Sequence, residues 1–265
     1  MKATVFLGGG RITGALIAGL RLAGYRKPIV VHDRHAEKLR QLKRRYDIVA
    51  ESDLREAVEA ARILIIAVRP PSVRELIREI ATFGIHHSMI AVSLAAGVPL
   101  SKLRSNLKQP LLWARAMPSP VCRTGYGLTA LAFDRAVPAS GRNEVRALFS
   151  LVGDVLDVPE NRFDAFTVTF SSSHGYHALA ALIAAAEAIG LDRASARIAS
   201  AHALADGISY WREGRGPLDQ LLGEAATPGG IAASVMTEMD RLGYQRIVER
   251  GLRAGMSQAT KNRKR

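Results

Sequence analysis

The chain opens with an arrangement that leaves few folds open to it. Thr4-Val5-Phe6-Leu7 is a short apolar and β-branched run, and Gly8-Gly9-Gly10 follows it. Ile12, Leu16, Gly19, Leu20 and Ala23 then recur at helical spacing until Gly24. The pattern is a buried strand, a turn tighter than side chains permit, and a helix. A strand passing through glycines into a helix aims unpaired N–H groups and the positive helix end at one point. That point suits a pyrophosphate. Gly8, Gly10, Arg11 and Ile12 are therefore candidate cofactor-binding residues.

The third glycine of the usual dinucleotide fingerprint is missing: Thr13 stands in its place and Gly14 comes one residue late. The second strand strengthens the reading. Pro28-Ile29-Val30-Val31-His32 ends at Asp33-Arg34, about twenty residues past the glycines, where an adenosine ribose would lie. Asp33 suits ribose hydroxyls, whereas Arg34, His35 and Lys38 suit a 2′-phosphate. The cations outnumber the acid, so NADP is the expected cofactor and NAD the alternative. A purely structural β–α turn is the competing explanation.

With 48% hydrophobic and 23% charged residues, a chain of 265 can build one large core or two modest domains. Its single cysteine, Cys122, excludes an internal disulfide and fits a reducing compartment. The first strand starts at once, leaving no room for a secretory signal. The longest apolar run, Ala178 to Ala186, is too short for a bilayer. A cytoplasmic protein without a membrane partner is expected. The formal charge of +13 invites a nucleic-acid reading, but the basic residues are dispersed among apolar and acidic ones. Lys261-Asn262-Arg263-Lys264-Arg265 is the one compact basic run and reads as a frayed tail, with few aromatics for base stacking. No nucleic-acid partner is expected. The positive field suits anionic cofactors and substrates.

Strand and helix patterns alternate through the first half. Helices are expected at Ala36 to Arg45, Asp53 to Ala60, Ser72 to about Thr82 and Asn143 to Val152. Strands are expected at Asp47–Ala50, Ile63–Val68, Met89–Ser93, Leu111–Ala116 and Leu128–Phe133. Ile63–Val68 is apolar throughout, as in parallel sheets covered on both faces. Right-handed crossovers make this order an α/β fold, a doubly wound and mostly parallel Rossmann-type sheet. After Asp157-Val158-Pro159-Glu160 the strand patterns vanish. Helical stretches take over at Asp164–Ala188, Arg193–Arg212, Leu218–Gly223, Gly229–Leu242 and Tyr244–Met256. A dinucleotide-binding domain over 1–160 and an all-α domain over 161–265 are expected. Ala178-Leu179-Ala180-Ala181-Leu182-Ile183-Ala184 is apolar all round and needs cover on several sides. A homodimer or higher homo-oligomer built through this half would supply it, with Ala178, Leu182, Ile198 and Leu204 in the interface.

Several stretches together resemble the pyrroline-5-carboxylate reductase family, in the same order across nearly the whole chain. They are the Gly8–Ala15 turn, Arg34-His35 with Glu37-Lys38-Leu39, Ala67-Val68-Arg69-Pro70, and Ser93-Leu94-Ala95-Ala96-Gly97-Val98. Arg115-Ala116-Met117-Pro118 follows, then Asp164-Ala165-Phe166-Thr167 leading to Ser172 and Tyr176, and Thr227-Pro228-Gly229-Gly230. The resemblance implies a nicotinamide-binding domain, a helical dimerisation domain and reduction of a small cyclic imine to a secondary amine. Pyrroline-5-carboxylate to proline, or a related pyrroline, is the implied reaction. It adds Ala67, Val68, Arg69, Pro70, Ala95, Met117 and Pro118 to the cofactor-binding candidates. Arg69 either touches the cofactor or caps its strand, and Pro70 with Pro71 stiffens the loop.

Imine reduction needs alignment against a hydride donor and a protected pocket more than a strong catalytic base. That suits a sequence with no metal-ligand cluster and no Ser-His-Asp set; no metal is expected. Ser172, His174 and Tyr176 are the candidate catalytic residues. His174 either gives a proton to the forming amine or caps a helix start, and Tyr176 shapes the pocket. Thr227 and Pro228 suit an N-cap and first helical position, with two glycines baring the first-turn amides. Thr227, Gly229, Gly230 and Ile231 are accordingly candidates for holding the substrate carboxylate. Against the family pattern, Ser119, Tyr126 and His174 replace other residues, and Ile231 and Ala232 stand where threonines are usual. A non-catalytic nicotinamide-binding scaffold and a related C=N or C=O oxidoreductase are the alternatives.

Overall fold

The computed structural model describes residues 2–85, 87–107, 111–214 and 216–264. Residues to Phe170 and from Ala254 onward form one compact unit, and Ser171–Arg253 form a second.

The first unit begins with β1 (Ala3–Leu7), α1 (Arg11–Leu22), β2 (Ile29–His32), α2 (Ala36–Arg45), β3 (Val49–Glu51) and α3 (Leu54–Glu59). It continues through β4 (Ala61–Ile66), α4 (Pro70–Ala81), β5 (Met89–Ser93), α5 (Leu100–Asn106) and β6 (Leu111–Pro118). A 3-10 turn (Pro120–Thr124), β7 (Gly127–Phe133), α6 (Ala139–Ser150), β8 (Gly153–Asp157) and α7 (Glu160–Thr169) complete it. One sheet runs in the order β3-β2-β1-β4-β5-β6-β7-β8. Every neighbouring pair is parallel except β6 with β7.

Side-chain alternation along the strands divides the core into two layers. Val5, Leu7, Leu64 and Ile66 face one side, with Val58 of α3, Ile77 of α4, Leu103 of α5 and Phe163 of α7. Phe6, Ile63 and Ile65 face the other, with Ile17 of α1, Leu42 of α2 and Phe149 of α6. Both faces of the central strands are therefore dry, which is why they read as unbroken apolar runs. Trp113 of β6 is 2% exposed, and its indole N–H donates to Leu107 O at 2.9 Å.

Several elements differ from the expected ones. α4 starts at Pro70 rather than Ser72, because prolines fit a first helical turn; they open a helix rather than stiffen a loop. The short helix α5 and the strand β8 have no clear sequence signal. β8 carries two aspartates and is largely exposed. Phe163, buried in the sheet's core, keeps α7 with the first unit. The expected helix 164–188 is broken at Phe170 and Ser171, whose backbone leaves helical geometry. Serines cluster here, and Ser171 and Ser173 hydroxyls bond each other at 2.6 Å, a local competitor to helix propagation.

The second unit is helical: α8 (Ser172–Ala188), α9 (Arg193–Arg212), α10 (Leu218–Ala225), α11 (Ile231–Arg241) and the start of α12 (Tyr244–Lys264). α12 runs on to Lys264 instead of stopping near Met256. The basic run is thus helical rather than frayed; its final residue, Arg265, lies outside the described residues. Among the described residues no helix is long and apolar enough to cross a membrane.

Candidate active site

Because β1, β2, β4, β5 and β6 are parallel, their carboxyl ends share one edge of the sheet. That edge gathers the expected cofactor residues: Gly8 to Ile12 after β1, Asp33-Arg34 after β2, and Ala67 to Pro70 after β4. Ala95 follows β5, and Met117-Pro118 closes β6. Ligands of open α/β sheets bind outside such an edge.

The glycine turn is held from several directions. Gly8 N–H donates to His32 O at 2.7 Å, and Ala67 N–H donates to Leu7 O at 2.8 Å. Gly8 has φ 111°, and a Cβ there would lie 2.9 Å from Ala67 O, so no other residue fits without displacing the neighbouring strand. Thr13, in the missing glycine's place, is fully buried, and its hydroxyl donates to Gly8 O at 2.5 Å. The substitution braces the turn instead of disrupting it.

Gly10 caps α1 with no side-chain hydrogen bond, and the first turn carries no acid. The ladder starts with Gly14 N–H donating to Gly10 O at 3.0 Å, so the amides of Arg11, Ile12 and Thr13 have no partner within the helix. These residues fit a dinucleotide pyrophosphate: bare amides, a positive helix end and no carboxylate within the helix's first turn.

Asp33 does not face a ribose freely. Its side chain is 6% exposed, and Oδ2 accepts from Gly9 N–H at 2.7 Å while Oδ1 accepts from His35 N–H at 2.8 Å. Lys38 Nζ lies 3.3 Å from Oδ2. Burial alone would raise the carboxyl's pKa, but the amides of His35 and Gly9, the His35 ring and Lys38 together hold it below the ordinary value. Asp33 therefore ties the glycine turn to the second strand. Arg34 extends to Glu75 at 3.2 Å and Glu79 at 3.1 Å on α4. Beside these groups is a hollow of about 390 Å³, lined by His32, Asp33, Arg34, Asp53 and Glu79 among others. Arg69 is exposed and is the N-cap of α4, so its backbone serves the helix whatever its side chain meets.

The remaining candidates lie in the second unit. Ser172 is half-buried in the first turn of α8, where His174 N–H donates to Ser171 O at 2.9 Å. His174 is exposed, and Tyr176 is 68% exposed. At the other helix start the cap is Gly230, not Thr227. Gly229 has φ 79° and Gly230 N–H donates to Thr227 O at 2.9 Å, closing a turn before α11. Pro228 is therefore a turn residue, and the Gly230 amide is already used. The bare amides begin at Ile231, whose side chain is 87% exposed.

Arg115 carries more than the strand motif disclosed. Its guanidinium is 1% exposed and pairs with Asp164 at 2.7 Å and Glu160 at 3.1 Å, lying over the Phe163 ring. Asp164 also accepts from Arg263 at 2.9 Å. Burial would raise the Asp164 carboxyl, but the two guanidinium groups hold it below its ordinary value. An arginine inside an apolar strand was the available signal, since a buried charge requires a partner. Cys122 is buried, which pushes its thiol up to about 11 and keeps it neutral. Among the described residues no group of three or more His, Cys, Asp or Glu is placed to hold a metal ion.

A mostly parallel sheet whose first helix starts uncapped after a glycine turn, joined to an all-helical unit, defines the class of nicotinamide-dependent oxidoreductases with a separate helical domain. The family described as NADP oxidoreductase coenzyme F420-dependent matches residues 4–97, and that described as pyrroline-5-carboxylate reductase dimerisation matches residues 160–262. A pyrroline-5-carboxylate reductase of Mycobacterium leprae is 31% identical, over 96% of this chain and 94% of its own. The chain belongs to the pyrroline-5-carboxylate reductase family. In fold it is similar to the pyrroline carboxylate reductase of Plasmodium falciparum solved with NADP bound, with TM-score 0.88 and 19% identity over 99% and 98% of the two chains. The Coxiella burnetii pyrroline-5-carboxylate reductase gives TM-score 0.87 and 22% identity over 98% of each chain.

Proposed function

We propose that this chain reduces the C=N bond of a small cyclic imine, pyrroline-5-carboxylate to proline, with NADPH as the preferred donor and NADH as the alternative. The observation that carries the reading is the uncapped N-terminus of α1, after the Gly8–Gly10 turn, at the edge shared by five parallel strand ends. A reduced nicotinamide, when bound, supplies the hydride for the imine carbon. The chain's own groups bind, orient and exclude water. In this reading the amides of Arg11 and Ile12 hold the pyrophosphate, while Arg34 and Lys38 meet the 2′-phosphate. Val68, Ala95, Met117 and Pro118 form the apolar wall of the nicotinamide end.

In this proposal residues 161–265 form the substrate and dimerisation domain and 1–160 the dinucleotide domain, with α7 and the end of α12 packed on the sheet unit. The bare amides at Ile231 hold the substrate carboxylate, with Thr227 and Gly229 shaping the turn. Ser172, His174 and Tyr176 line the imine, and His174 gives the ring nitrogen the proton that makes its carbon electrophilic. A second copy covers α8 and α9 through Ala178, Leu182, Ile198 and Leu204, two of which are exposed apolar side chains in the single chain. The test is NADPH and NADH oxidation against cyclic imines with and without a ring carboxylate. Turnover of the carboxylated imine supports the reading. Cofactor binding without turnover of any imine would replace it with the scaffold reading.

A further inference from the structure

The loop after β5 is tied to β4 at its start, where Leu94 N–H donates to Ile66 O at 2.9 Å, but from Ala95 to Val98 its own bonds are weak. Ala95 N–H donates to Ser93 Oγ at 3.3 Å and Val98 N–H donates to Ala95 O at 3.4 Å, both near the outer limit. The last two turns of α12 supply what the loop lacks. Asn262 Nδ2 donates to Ala96 O at 3.2 Å. Gly97 has φ 77°, and a Cβ there would lie 2.6 Å from Ala259 O and 2.9 Å from Asn262 Cβ. The helix end therefore rests directly on the loop backbone, at a position that only glycine fits.

That helix end is itself anchored. Arg263 reaches the buried Asp164, which also holds Arg115. Lys102 of α5 donates to Arg263 O at 2.7 Å, placing a cation on the negative end of α12. Gln258 Nε2 donates to Asn262 Oδ1 at 3.1 Å, which fixes the amide so that its NH₂ faces Ala96. A run that reads as a basic tail is thus bonded to a loop at the ligand-binding edge of the sheet.

We infer that the last two turns of α12, through Ala259 and Asn262, are a positioning element for the dinucleotide, setting the Ala95–Gly97 loop against which the cofactor lies. The inference rests on Ala95 belonging to the cofactor site. Asn262 and Ala259 act through the loop and touch no reacting atom.

The test compares wild type with Asn262→Asp, which keeps the side chain's shape but cannot donate, and Gly97→Ala, which pushes on the helix end. Hydrogen exchange of the Ala95 to Val98 amides is measured without cofactor, and NADPH dissociation constants are measured by nicotinamide fluorescence. For Asn262→Asp, loop exchange should quicken and NADPH should bind about two- to ten-fold more weakly, the equivalent of one hydrogen bond. KM for NADPH should rise while kcat and KM for the imine stay within about two-fold, a split that general loss of stability would not give. Gly97→Ala should act in the same direction and more strongly. Unchanged loop exchange in Asn262→Asp overturns the brace. Faster exchange with an unchanged NADPH dissociation constant overturns the positioning role. Failure of wild type itself to bind NADPH overturns the cofactor reading beneath the inference, and the exchange data still judge the brace.

Discussion

The two units differ in how much of themselves they cover. In the first, helices pack on both faces of the sheet, and β1, β2 and β5 are buried along their whole length. In the second, α8, α10 and α11 bury no residue, and α9 buries only Ala196 and Ser200. Yet α8 is the most apolar of these helices in sequence. A unit whose apolar helices lack cover within its own chain gains it from a copy, which agrees with the match of residues 160–262 to a dimerisation family. The lesson is one of dependence: the sheet closes its core with local crossovers, whereas the helical unit leaves its closure to assembly.

The sharpest way to break this comparison is to damage the unit that is complete. Asp164→Ala leaves Arg115 without its closest buried partner and should cost about 3–5 kcal/mol in chemical denaturation of the first unit. Because the folded Asp164 carboxyl titrates below its ordinary value of 3.8, its contribution is present above that pH and is lost as pH falls through the lower folded value. The gap between wild type and Asp164→Asn should accordingly shrink below about pH 3.8. A gap that stays constant down to pH 2 would show that ionisation of Asp164 contributes nothing to stability.

The incomplete unit is broken at its surface. Leu182→Asp with Ile198→Asp should weaken self-association on the order of 100-fold, read as mass by light scattering across a dilution series. NADPH binding by the first unit should survive at low concentration in that variant. An unchanged mass would place the interface elsewhere.

Two smaller effects sharpen the contrast between the cofactor and substrate ends. Arg34→Ala should weaken NADPH about ten-fold or more while leaving NADH within about two-fold, since one charge-assisted bond to the extra phosphate is lost. Equal weakening of both would move the 2′-phosphate away from Arg34. Ile231→Thr with Ala232→Thr adds two hydroxyls to the bare amides of α11. It should raise the kcat/KM ratio of carboxylated over uncharged imine a few-fold, about one neutral hydrogen bond's worth. A flat ratio in the folded variant would put the carboxylate elsewhere.

Legibility followed the range of the interactions. The Gly8–Gly10 turn and β4 are visible in the sequence because their signals are local: glycines before a helical repeat, and an unbroken apolar run. α5 is only seven residues long and β8 is a short edge strand, so neither periodicity nor composition marks them. Thr227-Pro228 gives a sound helix-start signal, but Gly229 turns the chain left-handed and moves the start to Ile231. Asp33 is visible as an acid after β2, while its inward turn toward Gly9 depends on a contact 24 residues away. Arg115 and Asp164 stand 49 residues apart, a pairing that no local pattern announces.

The chain contains two tryptophans, and the fold gives one to each unit. Trp113 is sealed in the sheet, whereas Trp211 on α9 is 46% exposed. In a single subunit the two should act as optical reporters, Trp113 blue-shifted and shielded from iodide and Trp211 red-shifted and quenchable. Denaturation of the sheet and separation of subunits should register as distinct spectral changes in a single unlabelled sample. The order in which a denaturant produces them would reveal which unit yields first.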